Sequence, residues 1–441
     1  MTDQIDAEQM IGIDRDAANY YEAAERVREK FDFHSYGVLM FGPGYPTFLA
    51  AGSLLVSAHP VALMIVQILL SAVGSVLLFL LAQRLTGDLR LGVIGGLINA
   101  TSIESITLAN ILFSETLFFV LMMAGLLALL RGLERRRWPY FVISGLLLGL
   151  SALTRSAGQF LFVIVLFVSL VILWRSGRPG SRELLSRMKW PLATAGLIVV
   201  MAAAWILRND HYYGLSHLSL AGPGGMAHLV RLTTAKRDSI SFGESYDQFV
   251  REAEKRRIGA AADSIDVSAY RPYLPQPSVT DPETIAYNQA FVQHARESLW
   301  RLIADYPWLT LKVYLENVRH NIHTDWGKQY YYLPEWDGTL RAFTSWTDKK
   351  GLNYRLSLLA LIGVVILVRR RNYRLLIILL ALYGYFALLS GFSVFQGSRV
   401  FYPAQAAWAV LVAYPLLFVL DWLVKMLRKA GVAWGLLRVS S

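Results

Sequence analysis

The sequence predicts an all-α protein that crosses a membrane several times. Three observations predict it. Hydrophobic residues make up 55% of the 441 positions and charged residues only 17%, where a soluble domain carries about a quarter charged residues. Long apolar runs recur along the chain, and mean hydropathy is +0.40. Basic residues gather in every second loop between those runs. This composition excludes a soluble enzyme, a disordered tail and a fibrous repeat. The formal charge of +11 would suit nucleic acid, but the excess lies in short loops between apolar runs, so no nucleic-acid partner is expected. The chain has no cysteine, which excludes a disulfide framework and a thiolate metal site.

A crossing helix needs roughly 17 to 25 apolar residues. About nine runs qualify, near 62–83, 91–109, 113–132, 139–154, 157–174, 190–207, 354–368, 374–391 and 403–424. They alternate in no β pattern, and lipid admits only helices or closed barrels. Arg84 and Arg90 follow the first run, Arg135 to Arg137 the third, Arg369 to Arg371 the seventh, and Lys425, Arg428 and Lys429 the last. Loops rich in arginine and lysine stay cytoplasmic. This orients the chain in the cytoplasmic membrane with its C-terminus inside.

The same rule divides the sequence. Residues 1–59 form an outside segment, 60–207 a six-span core, 208–353 an outside loop domain, and 354–441 three spans with a basic tail. The first segment is polar at its start and shows no signal peptide, which predicts a span upstream of this reading frame; a genuine outside N-terminus is the alternative. A helix is expected from Asp16 to about Phe31, rich in alanine. Gly42-Pro43-Gly44-Tyr45-Pro46 breaks it, and 47–57 reads as a short interfacial helix. In the large loop, Gly222-Pro223-Gly224-Gly225 precedes a charged helix near 243–258 and a proline-rich linker at 272–282. A helix at 284–324 is interrupted at Tyr306-Pro307.

Ionisable groups in or beside spans are costly and therefore functional candidates. Glu104, Glu115, Arg155, Arg208 and Arg399 all fall at the outer side of this topology. Arginines there suit a phosphate, which they bind through paired donors. A carboxylate there can act as general base. Each has a plainer reading: Ser114-Glu115 as a helix start favoured by the dipole, and the arginines as interfacial side chains reaching for water. Asp14 and Asp16 form a second acidic pair, which composition alone reads as a helix start. His320 and His323, three apart, read as interfacial polar residues rather than metal ligands, and Trp308 and Tyr330 to Tyr332 as an aromatic belt.

These motifs resemble a known family. Asp16-(x3)-Tyr20-(x3)-Ala24, followed by Gly42-Pro43-Gly44-Tyr45-Pro46, is similar to the first outside loop of bacterial GT-C membrane glycosyltransferases. The nearest branch is that of the protein O-mannosyltransferase-like and aminoarabinose-transferase-like enzymes. Ser114-Glu115-Thr116-Leu117-Phe118, Leu153-Thr154-Arg155, Trp205 through Asn209, and Ser398-Arg399 through Pro403 resemble further segments of that family, in the same order.

The resemblance implies a GT-C-like helical bundle and an inverting enzyme. It would take a sugar from a polyprenyl-phosphate donor at the outer face and pass it to a glycan, lipid or protein acceptor. Asp16 would be the catalytic base, with Asp14 its rival and Glu115 orienting a sugar or acceptor hydroxyl. Arg155, Arg208 and Arg399 would hold the lipid phosphate, with Tyr20, Tyr45 and Glu104 beside them. The family often has Asp-Glu where this chain has Asp16-Ala17, which puts a paired acid in doubt. A divalent metal near Glu115 and Asp16 is compatible, with no defined ligand set. The rivals are a flippase of lipid-linked sugars, which should show inverted repeats or helices broken at mid-membrane, and an inactive member lacking its first span.

Overall fold

The computed structural model describes residues 15–174, 181–267, 279–323, 352–394 and 397–429. Asp14, the 1–14 stretch, most of the 272–282 linker and Tyr330 to Tyr332 lie outside the described residues. Among the described residues every regular element is a helix.

The chain opens with α1 (Arg15–Lys30), which has Asp16 in its first turn and Arg28 and Lys30 in its last. That charge order matches the helix dipole. Ala17, Tyr20, Ala24 and Val27 recur at helical spacing and are all buried, so one stripe of α1 faces the core. After α2 (Tyr36–Phe41) comes Gly42, whose φ of 104° only glycine adopts readily. A Cβ there would also stand 2.6 Å from the Leu153 carbonyl oxygen. α3 (Gly44–Leu55) is the expected short apolar helix, and its end exposes Leu54, Leu55 and Val56.

Among the described residues, six helices are long and apolar enough to cross a membrane. They include α4 (Pro60–Thr86), α7 (Ser114–Arg135), α10 (Ser181–Tyr213), α16 (Tyr373–Ser390) and α18 (Gln405–Lys429), the last joined to the short α17 (Ser398–Phe401). The sixth joins a 3₁₀ turn at Ser156–Phe160 to α9 (Leu161–Trp174). Shorter apolar helices are α5 (Leu89–Ala100), α8 (Trp138–Thr154) and the end of α15 (Leu352–Arg369). Together they occupy all nine expected runs. α7 is the central helix, buried over 83% of its apolar stretch, against 28% for α10. The outer helices show bare apolar faces, such as Ile65, Leu69, Val73 and Val76 on α4, of the kind lipid covers.

Two expectations need correction. The run 91–109 is not one span. It breaks at Thr101 and Ser102, where the Ser102 side chain caps a new helix, α6 (Ile103–Ala109). The break lies level with the middle of α4, where Asn99 donates to the Ser75 hydroxyl and Ser105 meets Ser71. The sixth helix does not end at Arg208 but runs on to Tyr213, so Arg208 projects from within a helix.

The large loop contributes α11 (Ala221–Asp238), α12 (Phe242–Ile258), α13 (Pro282–Asp305) and α14 (Pro307–His323). Gly222-Pro223-Gly224-Gly225 lies inside the start of α11. Gly225 is needed there, because a Cβ would overlap the Phe392 carbonyl. Ser241 and Glu244 form a reciprocal capping box on α12. Val230, Phe249, Ala295, Leu299 and Val313 make the core among these helices.

A buried histidine, His228, and a half-buried one, His294, give this core a pH dependence. Burial and then the Arg231 charge push His228 down to about 4. Burial and then Arg256 push His294 down to about 4. An unfolded histidine takes up its proton near pH 6.5, whereas these two stay neutral in the fold until about pH 4. The unfolded chain therefore binds more protons in that window, and stability falls as pH drops from about 6.5 toward 4. The melting temperature of the purified protein is expected to fall by about 2 °C or more over this window, and His294→Gln should flatten part of the slope. A melting temperature unchanged between pH 7 and pH 5 would contradict this.

Candidate active site

Four distant segments meet at one end of the bundle. α1 supplies Asp16, α7 supplies Glu115, the residue closing α8 is Arg155, and α17 supplies Arg399. The Arg399 guanidinium donates through Nη1 to Asp16 Oδ2 at 2.8 Å and through Nε to Glu115 Oε1. Arg155 pairs with the same Glu115 oxygen. Glu115 is fully buried and Arg399 is 4% exposed, while the Asp16 side chain is 25% exposed. The Glu115 carboxylate thus pairs with two arginines inside the bundle, and Asp16, at its edge, supplies the second negative charge. Arg399 also lies 3.9 Å over the Phe113 ring, a favourable place for a cation.

Glu115 sits in the first turn of α7, where the helix dipole favours an acid. Ser114 does not cap that helix. Its hydroxyl accepts from Arg155 Nη1 at 3.2 Å and pairs with the Tyr20 hydroxyl at 2.9 Å. One oxygen of Glu115, Oε2, is buried without a hydrogen-bond partner. A buried ionised oxygen without a donor is costly, so this atom has capacity for one more donor.

The remaining candidates fall into different roles. Tyr20 and Tyr45 are buried and pack edge to face at 4.8 Å. The Tyr45 hydroxyl donates to Gln67. Burial and then Glu115 hold the Tyr20 hydroxyl above its ordinary pKa. Both rings therefore support the site from within, which differs from the expected contact with a lipid phosphate, because their hydroxyls are already bonded inside the protein. Arg208 is not joined to the Glu115 cluster. It donates to the Phe33 carbonyl at 3.1 Å and to His34 Nδ1 at 3.3 Å, with Trp205, Tyr212 and Tyr213 rings around it. His34 Nδ1 accepts here, so its proton belongs on Nε2. Burial and the Arg208 charge lower the His34 pKa. Glu104 is half-buried in the first turn of α6. Its neighbour Ser105 meets the Tyr402 hydroxyl at 3.2 Å, three residues beyond Arg399.

No group of three or more His, Asp or Glu residues that could hold a metal occurs among the described residues. Asp16 and Glu115 each face arginine, a donor set that does not fit a cation.

Sequence reasoning missed the amides that hold the site. Gln67 is buried near the start of α4, and its Nε2 donates to the carbonyls of Leu108 and Ala109 where α6 ends. A polar amide within an apolar run was the available signal. On α14, Asn317 donates to the Gly391 and Ser393 carbonyls at 3.0 and 2.8 Å. Asn321 donates to Ser390 O at 2.9 Å and accepts from Gly397 N at 3.0 Å. These two side chains, four apart on one face, fix the segment that leads into Arg399.

Residues 41–206 match the family model described as dolichyl-phosphate-mannose-protein mannosyltransferase. The match runs from the end of α2 to Ile206 in α10. It contains Glu115 and Arg155, whereas Asp16, Arg208 and Arg399 lie beyond it. The resemblance to GT-C membrane glycosyltransferases is borne out over this segment. No curated protein matches the chain. Among solved structures, the chain is similar to the Archaeoglobus fulgidus oligosaccharyltransferase AglB in complex with an inhibitory peptide and a dolichol-phosphate. That likeness has 16% identity and a TM-score of 0.48, and covers 97% of this chain and 49% of that one. It is also similar to ArnT from Cupriavidus metallidurans in the apo state, at 13% identity and a TM-score of 0.38, covering 91% of this chain and 73% of that one. The chain spans about half the length of the oligosaccharyltransferase structures it matches.

Proposed function

We propose that this protein is a membrane glycosyltransferase that moves a sugar from a polyprenyl-phosphate donor to an acceptor at the outer face of the cytoplasmic membrane, with inversion. The observation that carries this reading is the Asp16–Arg399–Glu115–Arg155 cluster at one end of the bundle. The family match over 41–206 supports the reaction class. The basic loops favour an outside position for the cluster's end of the bundle and a cytoplasmic C-terminus.

The roles follow from position. Asp16, at the open edge of the cluster, takes the proton from an acceptor hydroxyl as that oxygen attacks the anomeric carbon. The bond from that carbon to the phosphate oxygen breaks, and its electron pair leaves with the lipid phosphate. The leaving group is already anionic, so it needs fixed positive charge more than a proton. Arg155 and Arg399 supply that charge, and preorganised charge is usually the largest catalytic contribution. Glu115 holds both guanidinium groups in place, and its open Oε2 would accept a sugar hydroxyl. Arg208 positions the segment after α1 through Phe33 and His34. The division into a 1–59 outside segment, a 60–207 core, a 208–353 outside domain and a 354–441 unit fits this arrangement.

The test is consumption of a labelled polyprenyl-phosphate hexose by membranes holding this chain. Sugar loss above that of control membranes is expected. Loss equal to control, in well-expressed protein and across hexose and pentose donors, would overturn the reading. A flippase would move the labelled lipid across the bilayer without cleaving it.

The asparagines of α14 give a separate prediction. Asn321→Ala removes two hydrogen bonds from the strap leading into Arg399, and turnover is expected to fall by roughly a hundredfold or less with donor affinity nearly kept. Unchanged turnover would mean that the strap does not position Arg399.

A further inference from the structure

The loop helices enclose a second cleft that shares no residue with the Asp16–Arg399 cluster. It lies between α11, α12 and α13 and has a volume of about 320 Å³, within the range of small-molecule sites. Phe249, 4% exposed, forms part of its wall with Val230 and Leu302. Arg231, Arg237, Arg301 and His294 line it, together with the acids Glu252 and Asp305.

The charges in this cleft are unevenly matched. Glu252 is paired with Lys255 at 3.0 Å, Arg237 with Asp238 at 2.6 Å, and Arg301 stands 3.9 Å from Glu297. Arg231 has no ion pair among the described residues. Its guanidinium is clasped between the rings of Phe242 at 4.1 Å and Tyr246 at 4.4 Å. Its Nε is buried without a hydrogen-bond partner, and so is His294 Nδ1. The His294 ring lies edge-on to Phe249 at 4.7 Å. The half-buried Arg231 guanidinium feels the charge of Asp247 but makes no direct ion pair with it, and an arriving oxyanion would supply a direct partner.

We propose that this cleft binds a phosphate ester of head-group size, with its oxyanion on Arg231 and with Arg237 and Arg301 at the mouth. Arginine presents a rigid fork of donors suited to phosphate oxygens, and three such groups suit a dianion better than a carboxylate. The volume exceeds that of bare phosphate, and Thr234, Ser245 and Ser298 line the rest. The ester could come from a phospholipid head group or from a soluble molecule. Tyr306 lines the cleft, and the exposed Trp308 and Trp300 lie two residues after it and six before it in sequence. Such aromatic residues are those that settle at membrane surfaces, which favours the lipid source.

The test uses the full chain in an uncharged detergent at constant ionic strength. Calorimetric titration with inorganic phosphate and then with glycerol 1-phosphate should show saturable binding, tighter for the ester. Arg231→Gln should weaken it roughly tenfold or more, while Asp16→Asn should leave it unchanged. Arg301→Gln changes an exposed side chain and gives the same reading if Arg231→Gln does not fold. No saturable heat, or affinity unchanged in both arginine variants, overturns the proposal. Glycerol 1-phosphate binding that is competed away in phosphatidylglycerol nanodiscs assigns the site to lipid; equal affinity there and in detergent assigns it to a soluble ester.

Discussion

Asp16→Asn is expected to abolish sugar transfer while leaving the protein folded and inserted. The substitution keeps the shape of the side chain and a hydrogen-bond acceptor for Arg399 Nη1, now at 2.8 Å from Asp16 Oδ2. It removes the charge and the capacity to accept a proton. General-base catalysis contributes about 10²–10⁴-fold, so turnover should fall by at least the lower of these values. Asp16 is 25% exposed, so the melting temperature should fall less than on loss of the fully buried Glu115 charge. The comparison is release of label from the polyprenyl-phosphate donor by equal amounts of inserted protein. Turnover equal to wild type would remove Asp16 from the mechanism and leave Asp14 as the acid to test.

Glu115→Gln is expected to have the largest effect on stability. Glu115 is fully buried, and one of its oxygens faces both Arg155 and Arg399. Removing its charge leaves Arg399, itself 4% exposed, with Asp16 as its remaining counter-ion in the cluster, and leaves Arg155 with none there. Breaking a buried pair in this way costs about 3–5 kcal/mol, far more than a surface pair would. Thermal unfolding in detergent should show the loss. Adding Arg155→Gln to the same chain should recover part of it, because the surplus charge is then smaller. A Glu115→Gln protein as stable as wild type would mean that water or lipid head groups reach this cluster and compensate its charges.

Much of this architecture is legible in the sequence, for physical reasons that differ by element. The spans are legible because lipid imposes length and apolarity together. α1 is legible from alanine content, and the stop between α13 and α14 from Pro307. The break at Thr101 and Ser102 was not, because two small polar residues in an apolar run are compatible with an unbroken helix. Glu115, Arg155 and Arg399 stand out singly as charges beside apolar runs. Their pairing does not, since Arg399 lies 284 positions from Glu115 and only the packed bundle brings them together. Arg208 shows the limit of such reasoning. It looks like its fellow arginines in sequence, yet it is spent on Phe33 and His34. The amides Gln67, Asn317 and Asn321 went unread because their value lies in carbonyls that are freed only where other helices end.

The span of 284 positions between Glu115 and Arg399 also bears on how the protein is made. A chain emerging residue by residue inserts α7 with an acid that has no partner. Arg155 arrives first, at the close of the next helix, and escorts the carboxylate through most of synthesis. Arg399 enters only with α17, after the other three members of the cluster have been made. A nascent chain stalled before α17 would lack both Arg399 and the core residues of α18, so the charge cluster and the last part of the core are completed together.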